Sequence, residues 1–129
     1  MINNKGQTLA LFVIILPILL LLLVLVIDVG KMIELKLELN NISKIVLDYG
    51  IDNIEKENIK DELINLVKLN KDDIDEIDIS IVNDRIYLEL EDNVQGLFSG
   101  IINATLFEIE TSYVGYIDNG EKRIERMGD

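Results

Sequence analysis

At 129 residues the chain has room for one small domain and an appendage. It contains neither cysteine nor histidine, which excludes disulfides, thiol nucleophiles, imidazole bases and the usual nitrogen and sulfur ligands of zinc. All 24 acidic residues lie at or after Asp28 with 11 of the 12 basic ones, a net charge of −13 (11 against 24) that argues against nucleic acid as a partner.

The chain opens on a polar stretch, Met1 to Gly6, in which Lys5 is the only charged side chain. From Leu9 to Ile27 it then reads LALFVIILPILLLLLVLVI, nineteen residues without a charge or a hydrogen-bonding side chain. As a helix this run is about 28 Å long, close to the hydrocarbon thickness of a bilayer. A cleaved secretory signal has a shorter apolar core of about 7–15 residues and small residues at its cleavage site, and neither feature is present here. The acidic remainder is also too polar to surround such a helix on every side. The run therefore reads as a membrane-spanning helix over 7–30, with Pro17 expected to kink it. Lys5 and the amino terminus lie before the span, while Asp28, Lys31, Glu34 and Lys36 nearly cancel after it. The positive-inside bias then expects a cytoplasmic leader over 1–6, and the rest of the chain outside the cytoplasmic membrane.

Gly6-Gln7-Thr8-Leu9-Ala10-Leu11-Phe12, followed by Pro17 and then by Ile27-Asp28-Val29-Gly30, resembles the start of TadE/TadG-like proteins. These are minor pilin-like components of tight-adherence (Flp) pili. Gly6, Phe12, Pro17, Asp28 and Gly30 fall in register with the family pattern, which covers about the first fifty residues. The resemblance implies a pilin-like fold, processing by a prepilin peptidase between Gly6 and Gln7, and contacts with other pilin-like subunits and assembly-platform proteins. The chain departs from the pattern at one position. Leu11 stands where the family has a glutamate, the carboxylate that pairs with the amino terminus of a neighbouring subunit. A leucine there inserts into hydrocarbon more readily but cannot make that pair.

Beyond the span, Met32, Leu35, Leu39, Ile42, Val46 and Tyr49 recur at steps of three and four, a heptad-like seam. The spacing predicts one helix from about Thr8 to Tyr49, ended near Gly50 by a left-handed cap, with a helical stalk over 31–55. The seam is short for an autonomous coiled coil, and packing onto the chain's own sheet is the favoured reading over a partner helix. A head domain is expected over 56–129. It begins with a second amphipathic helix over 57–69, carrying apolar residues at 59, 63, 66, 67 and 69.

The period then changes to two. Ile77, Ile79 and Ile81 alternate with polar residues, as do Ile86, Leu88 and Leu90 beyond Asn83-Asp84. If Asn83-Asp84 is a two-residue turn, Ile81 faces Ile86, Ile79 faces Leu88, Ile77 faces Leu90, and all six share one face. A short helix over 94–102, a third strand from Phe107 to Ile117, an Asn119-Gly120 turn and an edge strand around Ile124 complete the pattern. The expected class is α+β: a long anchoring helix, a second helix and a small antiparallel sheet of three or four strands.

No catalytic constellation emerges. Asp72, Asp73, Asp75, Glu76 and Asp78 are hard oxygen ligands but lack the glycine and regular alternation of a calcium loop. Asp28 reads as a helix-end carboxylate reaching the headgroups. No serine sits in a nucleophile motif and no glycine-rich phosphate loop exists. Neither an enzymatic activity nor a metal or cofactor is expected. The sequence thus points to a membrane-anchored structural component of a pilus or related secretion machine. The alternative is a single-pass membrane protein whose acidic outer domain binds a ligand or regulates a neighbour.

Overall fold

The computed structural model describes residues 4–97 and 108–127. Its element order is α1 (Asn4–Asp52), α2 (Ile59–Asn70), β1 (Glu76–Val82), β2 (Arg85–Asn93), β3 (Glu108–Asp118) and β4 (Glu121–Arg126). The four strands form one antiparallel sheet in the order β1-β2-β3-β4. Both helices lie on the same face of it, α1 along β3 with contacts to β2 and β4, and α2 beside β1. The architecture is α+β, with a long apolar N-terminal helix, a second helix and a meander of four strands.

The sheet follows from two tight turns. Asn83 and Asp84 have φ of 52° and 62°, and Asn119 and Gly120 have φ of 52° and 81°. Paired positive φ values are what a two-residue hairpin needs to match the right-handed twist of its strands, and Asn, Asp and Gly reach them at least cost. The register of the first hairpin is the expected one: Ile77 opposite Leu90, Ile79 opposite Leu88 and Ile81 opposite Ile86. β3 then sets Thr111, Tyr113 and Gly115 against Leu90, Leu88 and Ile86, on the face that meets the helices. Of the hairpin residues, Ile79, Ile86, Leu88 and Leu90 are buried, whereas Ile81 lies near the open end of β1 and is exposed.

α1 continues without interruption through Pro17 and runs about 74 Å in all, from its 49 residues. Its C-terminal part, expected as a stalk, packs along the sheet. Leu35, Leu39, Ile42 and Val46 of the seam are buried in the core with Leu47 and Ile51 beside them. Met32 is half-buried. Tyr49 is 37% exposed and its hydroxyl donates to Glu62 Oε2 at 2.9 Å, so it joins α1 to α2 at the rim. Ile59, Leu63 and Val67 supply the buried side of α2, while Leu69 is exposed. Each fully buried aliphatic side chain of this kind contributes about 1.5–3 kcal/mol.

Gly50 requires a correction. It lies inside α1, which ends at Asp52, and its φ is not positive, so it is not a left-handed cap. A Cβ at Gly50 would stand 2.7 Å from Ile86 Cδ1 and 3.2 Å from both Leu63 methyls. The glycine is there because α1, α2 and β2 converge on it. Gly115 serves β3 in the same way, with Leu47 Cβ and Ile51 Cδ1 each 3.2 Å from where its Cβ would be. Of the short helix expected over 94–102, only Val94 to Leu97 lie within the described residues; Val94 packs against the core, Val94 to Gly96 are not helical, and the rest of the expected helix lies outside the described residues.

Candidate functional site: the anchor and its junction with the head

The apolar run forms the N-terminal part of α1. It is the one stretch among the described residues long and apolar enough to cross a membrane, and none of that window is buried. Apart from half-buried Val24, its large side chains from Leu9 to Ile27 are 37–70% exposed. So many contiguous aliphatic groups left bare in water would be strongly unfavourable, and lipid is the environment that suits them. Leu11, Phe12 and Pro17 all sit in this bare region. Gly6 and Gln7 lie within the first turns of α1 and are exposed. A Cβ at Gly6 or at Gly30 would meet nothing within 4 Å, so packing within the chain requires neither glycine.

Asp28 is the unexpected feature. Its position, directly after the run, suggested a carboxylate extended toward the headgroups. Instead it is 0% exposed, and Oδ1 accepts the backbone N–H of Leu97 at 2.8 Å. Gly96 packs against the same carboxylate so closely that a Cβ there would fall 2.4 Å from Asp28 Cγ. The reason is chain geometry. β2 runs back toward the N-terminal half of α1, and the loop after it arrives beside the first acidic residue of the helix. A partner 69 positions away leaves no local trace in the sequence.

The far end of the head holds an open cleft of about 470 Å3 between Ile51 and Ile54 on one side and Asn83 to Arg85, Tyr116 and Ile117 on the other. The Arg85 guanidinium stacks 4.1 Å from the centre of the Tyr116 ring, and Glu55 also lines the space. On the helix side, Lys122 of β4 contacts Asp52 at 2.7 Å and Asp48 at 3.2 Å, tying the edge strand to the end of α1. These carboxylates hold the Lys122 ammonium above its ordinary pKa, the Asp52 hydrogen bond most of all.

The outer face of the sheet is dense in carboxylates. Glu76, Glu91 and Glu110 stand opposite one another across β1, β2 and β3, and Asp78 stands opposite Glu89. Like charges in direct cross-strand positions repel, and protons relieve that repulsion. A hydrogen bond to Glu110, then desolvation and the surrounding acids, push Glu89 up to about 7. Glu91 is raised as well, chiefly by a hydrogen bond to Glu76. Within the acidic run, Asp73 is bound by Lys71 at 3.0 Å and held below the usual carboxylate range. Asp75 accepts from Asn93 Nδ2, and Asp92, buried, faces Lys71 at 3.6 Å. Among the described residues no group of three or more acidic side chains is arranged to hold a metal ion.

The geometry therefore gathers the sequence-derived positions into two sets. Leu35, Leu39, Ile42 and Val46 meet in the core, and Gly6, Gln7, Leu11, Phe12 and Pro17 lie apart from it along the bare helix. Asp28 and Gly30 mark the junction between them, with Gly96 and Leu97 as the part of the junction that sequence reasoning missed. No protein-family model, curated protein or solved structure matches the chain.

Proposed function

We propose that the protein is a structural component of a tight-adherence (Flp-type) pilus or related secretion system, a TadE-like minor pseudopilin. It is held in the cytoplasmic membrane by α1, with its amino terminus inside and its head outside. The observation that carries this reading is the opening pattern Gly6-Phe12-Pro17-Asp28-Gly30, set on a helix whose first part is bare and whose second part is the spine of an αβ head. Gly6 and Gly30 add to it. Glycine inside a helix costs roughly 1 kcal/mol against alanine. Neither position is crowded within the chain, which suits recognition by something outside it, a peptidase at Gly6 and a neighbouring helix at Gly30. In this role the molecule does no chemistry; it anchors, packs and presents.

The test is the mature N-terminus. Intact mass and N-terminal sequencing of the protein, produced with and without a co-expressed prepilin peptidase, should show a chain beginning at Gln7 only with the peptidase. An unaltered Met1 terminus in both would remove processing from the reading. Leu11 favours a second one, because it lacks the carboxylate that pilin-like helices use to dock. A single-pass membrane protein with an acidic ligand-binding or regulatory head has no need of that carboxylate. Gentle solubilisation and pull-down separate the two, since recovery of pilus motor or platform proteins belongs to the first alone.

A further inference from the structure

The centre of the apolar run lies at Ile18, and a half-bilayer of about 15 Å takes up about ten helical residues. That puts the hydrocarbon boundary at Asp28, so whatever touches Asp28 also sits at the membrane surface. What touches it is the loop after β2. The Asp28 carboxylate takes the N–H of Leu97 at 2.8 Å, and Gly96 lies against it with no room for a side chain. Near hydrocarbon a backbone donor cannot rely on water, and a bare N–H there costs roughly several kcal/mol. A carboxylate spent on that donor, and buried in doing so, is the arrangement a loop at the boundary requires.

Three further observations agree. Leu97 is 51% exposed although it stands next to this clamp, so its side chain is available to another surface. Val24, one turn before Asp28, is the one large apolar residue of the run that is half-buried, which places the start of the junction at that level. The sequence from Asn93 to Phe107 contains no charged residue, fifteen positions in a chain that is 28% charged overall. Strongly acidic loops would be repelled by an anionic membrane, and this one carries nothing to repel.

We infer that the loop Val94–Leu97, gripped by Asp28, is a second membrane contact: the base of the head rests on the bilayer, with Leu97 at the boundary between headgroups and hydrocarbon. The inference depends on α1 being the membrane anchor, which is part of the function proposed above, but not on any role in a pilus. Asp28 is the positioning residue. It sets the height of the head above the membrane and removes the freedom that a stalk would give.

Tryptophan fluorescence tests this directly, because the natural chain contains no tryptophan. The full chain carrying Leu97→Trp is reconstituted in phosphatidylcholine–phosphatidylglycerol vesicles containing lipids brominated at a shallow or a deep acyl position. Leu19→Trp reports on the span and Ile117→Trp on the far end of the head. Shallow bromines should quench Leu97→Trp about twofold or more, deep bromines should quench Leu19→Trp, and Ile117→Trp should be unaffected. Leu97→Trp as unquenched as Ile117→Trp, with Leu19→Trp quenched, overturns the second contact and leaves the anchor standing. Lack of quenching at Leu19→Trp overturns the anchor as well. If the indole disturbs the loop, a nitroxide on Leu97→Cys, the sole thiol in a cysteine-free chain, gives the same reading. Collisions with oxygen should exceed those with a water-soluble nickel chelate, and the reverse order rejects the contact.

Discussion

The two halves of α1 share one backbone and differ in everything around it. From Leu9 to Ile27 large aliphatic side chains stand bare, whereas Leu39, Val46 and Leu47, about three to five turns past the junction, are completely covered. The same residue types thus serve two solvents, and continuous apolarity belongs to the first while apolarity at helical steps belongs to the second. A helix exposed on all sides to lipid needs no partner face, but one lying on a sheet needs a stripe two residues wide. Burial at 35, 39, 42–43, 46–47 and 50–51 has that form. The change occurs at Asp28, where the helix gains its first tertiary hydrogen bond to the head.

This contrast is broken most strongly from the covered half. Leu39→Ala leaves a cavity among α1, α2 and the sheet and should lower the stability of the head by about 2–5 kcal/mol. Thermal melting of the full chain in detergent reads the loss, and carbonate extraction should find the variant still in the membrane fraction. The complementary change, Leu19→Arg, puts a charge at the middle of the bare half at a cost of about 2.5–3.5 kcal/mol of insertion. It should weaken insertion, and with it retention in the membrane fraction, without altering the melting of the head. Equal effects of both variants on both measurements would mean that the two halves are not separate environments.

What the sequence revealed depended on the range of the interaction. The first hairpin was legible residue by residue, because alternation and a two-residue Asn-Asp turn leave one register that buries Ile79, Ile86, Leu88 and Leu90 together. The seam on α1 was legible for the same reason, though as a stripe one residue wide, so Ser43, Leu47 and Ile51 were missed. Gly50 misled because a helix-ending glycine and a close-packing glycine look alike in one dimension, and only the arrival of Ile86 and Leu63 separates them. Asp28 misled because its partner comes from another element. The carboxylate rows on the outer face follow from strand registers, and between β2 and β3 the sequence carries no turn signal as sharp as Asn-Asp from which to read one.

Gly50 offers a smaller and sharper test within the covered half. Gly50→Ala should be near neutral, since helix propensity returns about 1 kcal/mol while the new methyl presses on the movable end of Ile86. Gly50→Leu has no such escape and should destabilise by about 1–3 kcal/mol through overpacking. If Gly50 ended the helix as a left-handed cap, alanine would be destabilising too, and the difference between the two variants would shrink.

The smallest effect is one of pH, and it too divides the halves. No side chain from Gln7 to Ile27 titrates, so membrane anchoring should be the same at pH 8 and pH 5.5. The head differs. Glu89, near 7 in the folded chain, and Glu91, also raised, take up protons before they would in the unfolded chain, where a glutamate titrates near its ordinary value of 4.5. The folded state therefore binds more protons across this window, and stability rises as pH falls. The gain is complete below about 4.5 and is lost as pH rises through about 7. Asp73 has the opposite sign, but its lowered pKa confines its loss to pH below its ordinary 3.8, outside the window. Lys71 and Lys122, both raised above 10.5, remain charged throughout. Melting of the full chain should accordingly shift upward from pH 8 to pH 5.5, by a modest amount because these groups face solvent. Glu89→Gln should raise the pH 8 value and flatten the profile, since the amide keeps a hydrogen bond to Glu110 without the charge that opposes Asp78 and Glu76. A profile that is flat in the natural chain, or that falls toward pH 5.5, would show that water and counterions already screen the carboxylate rows.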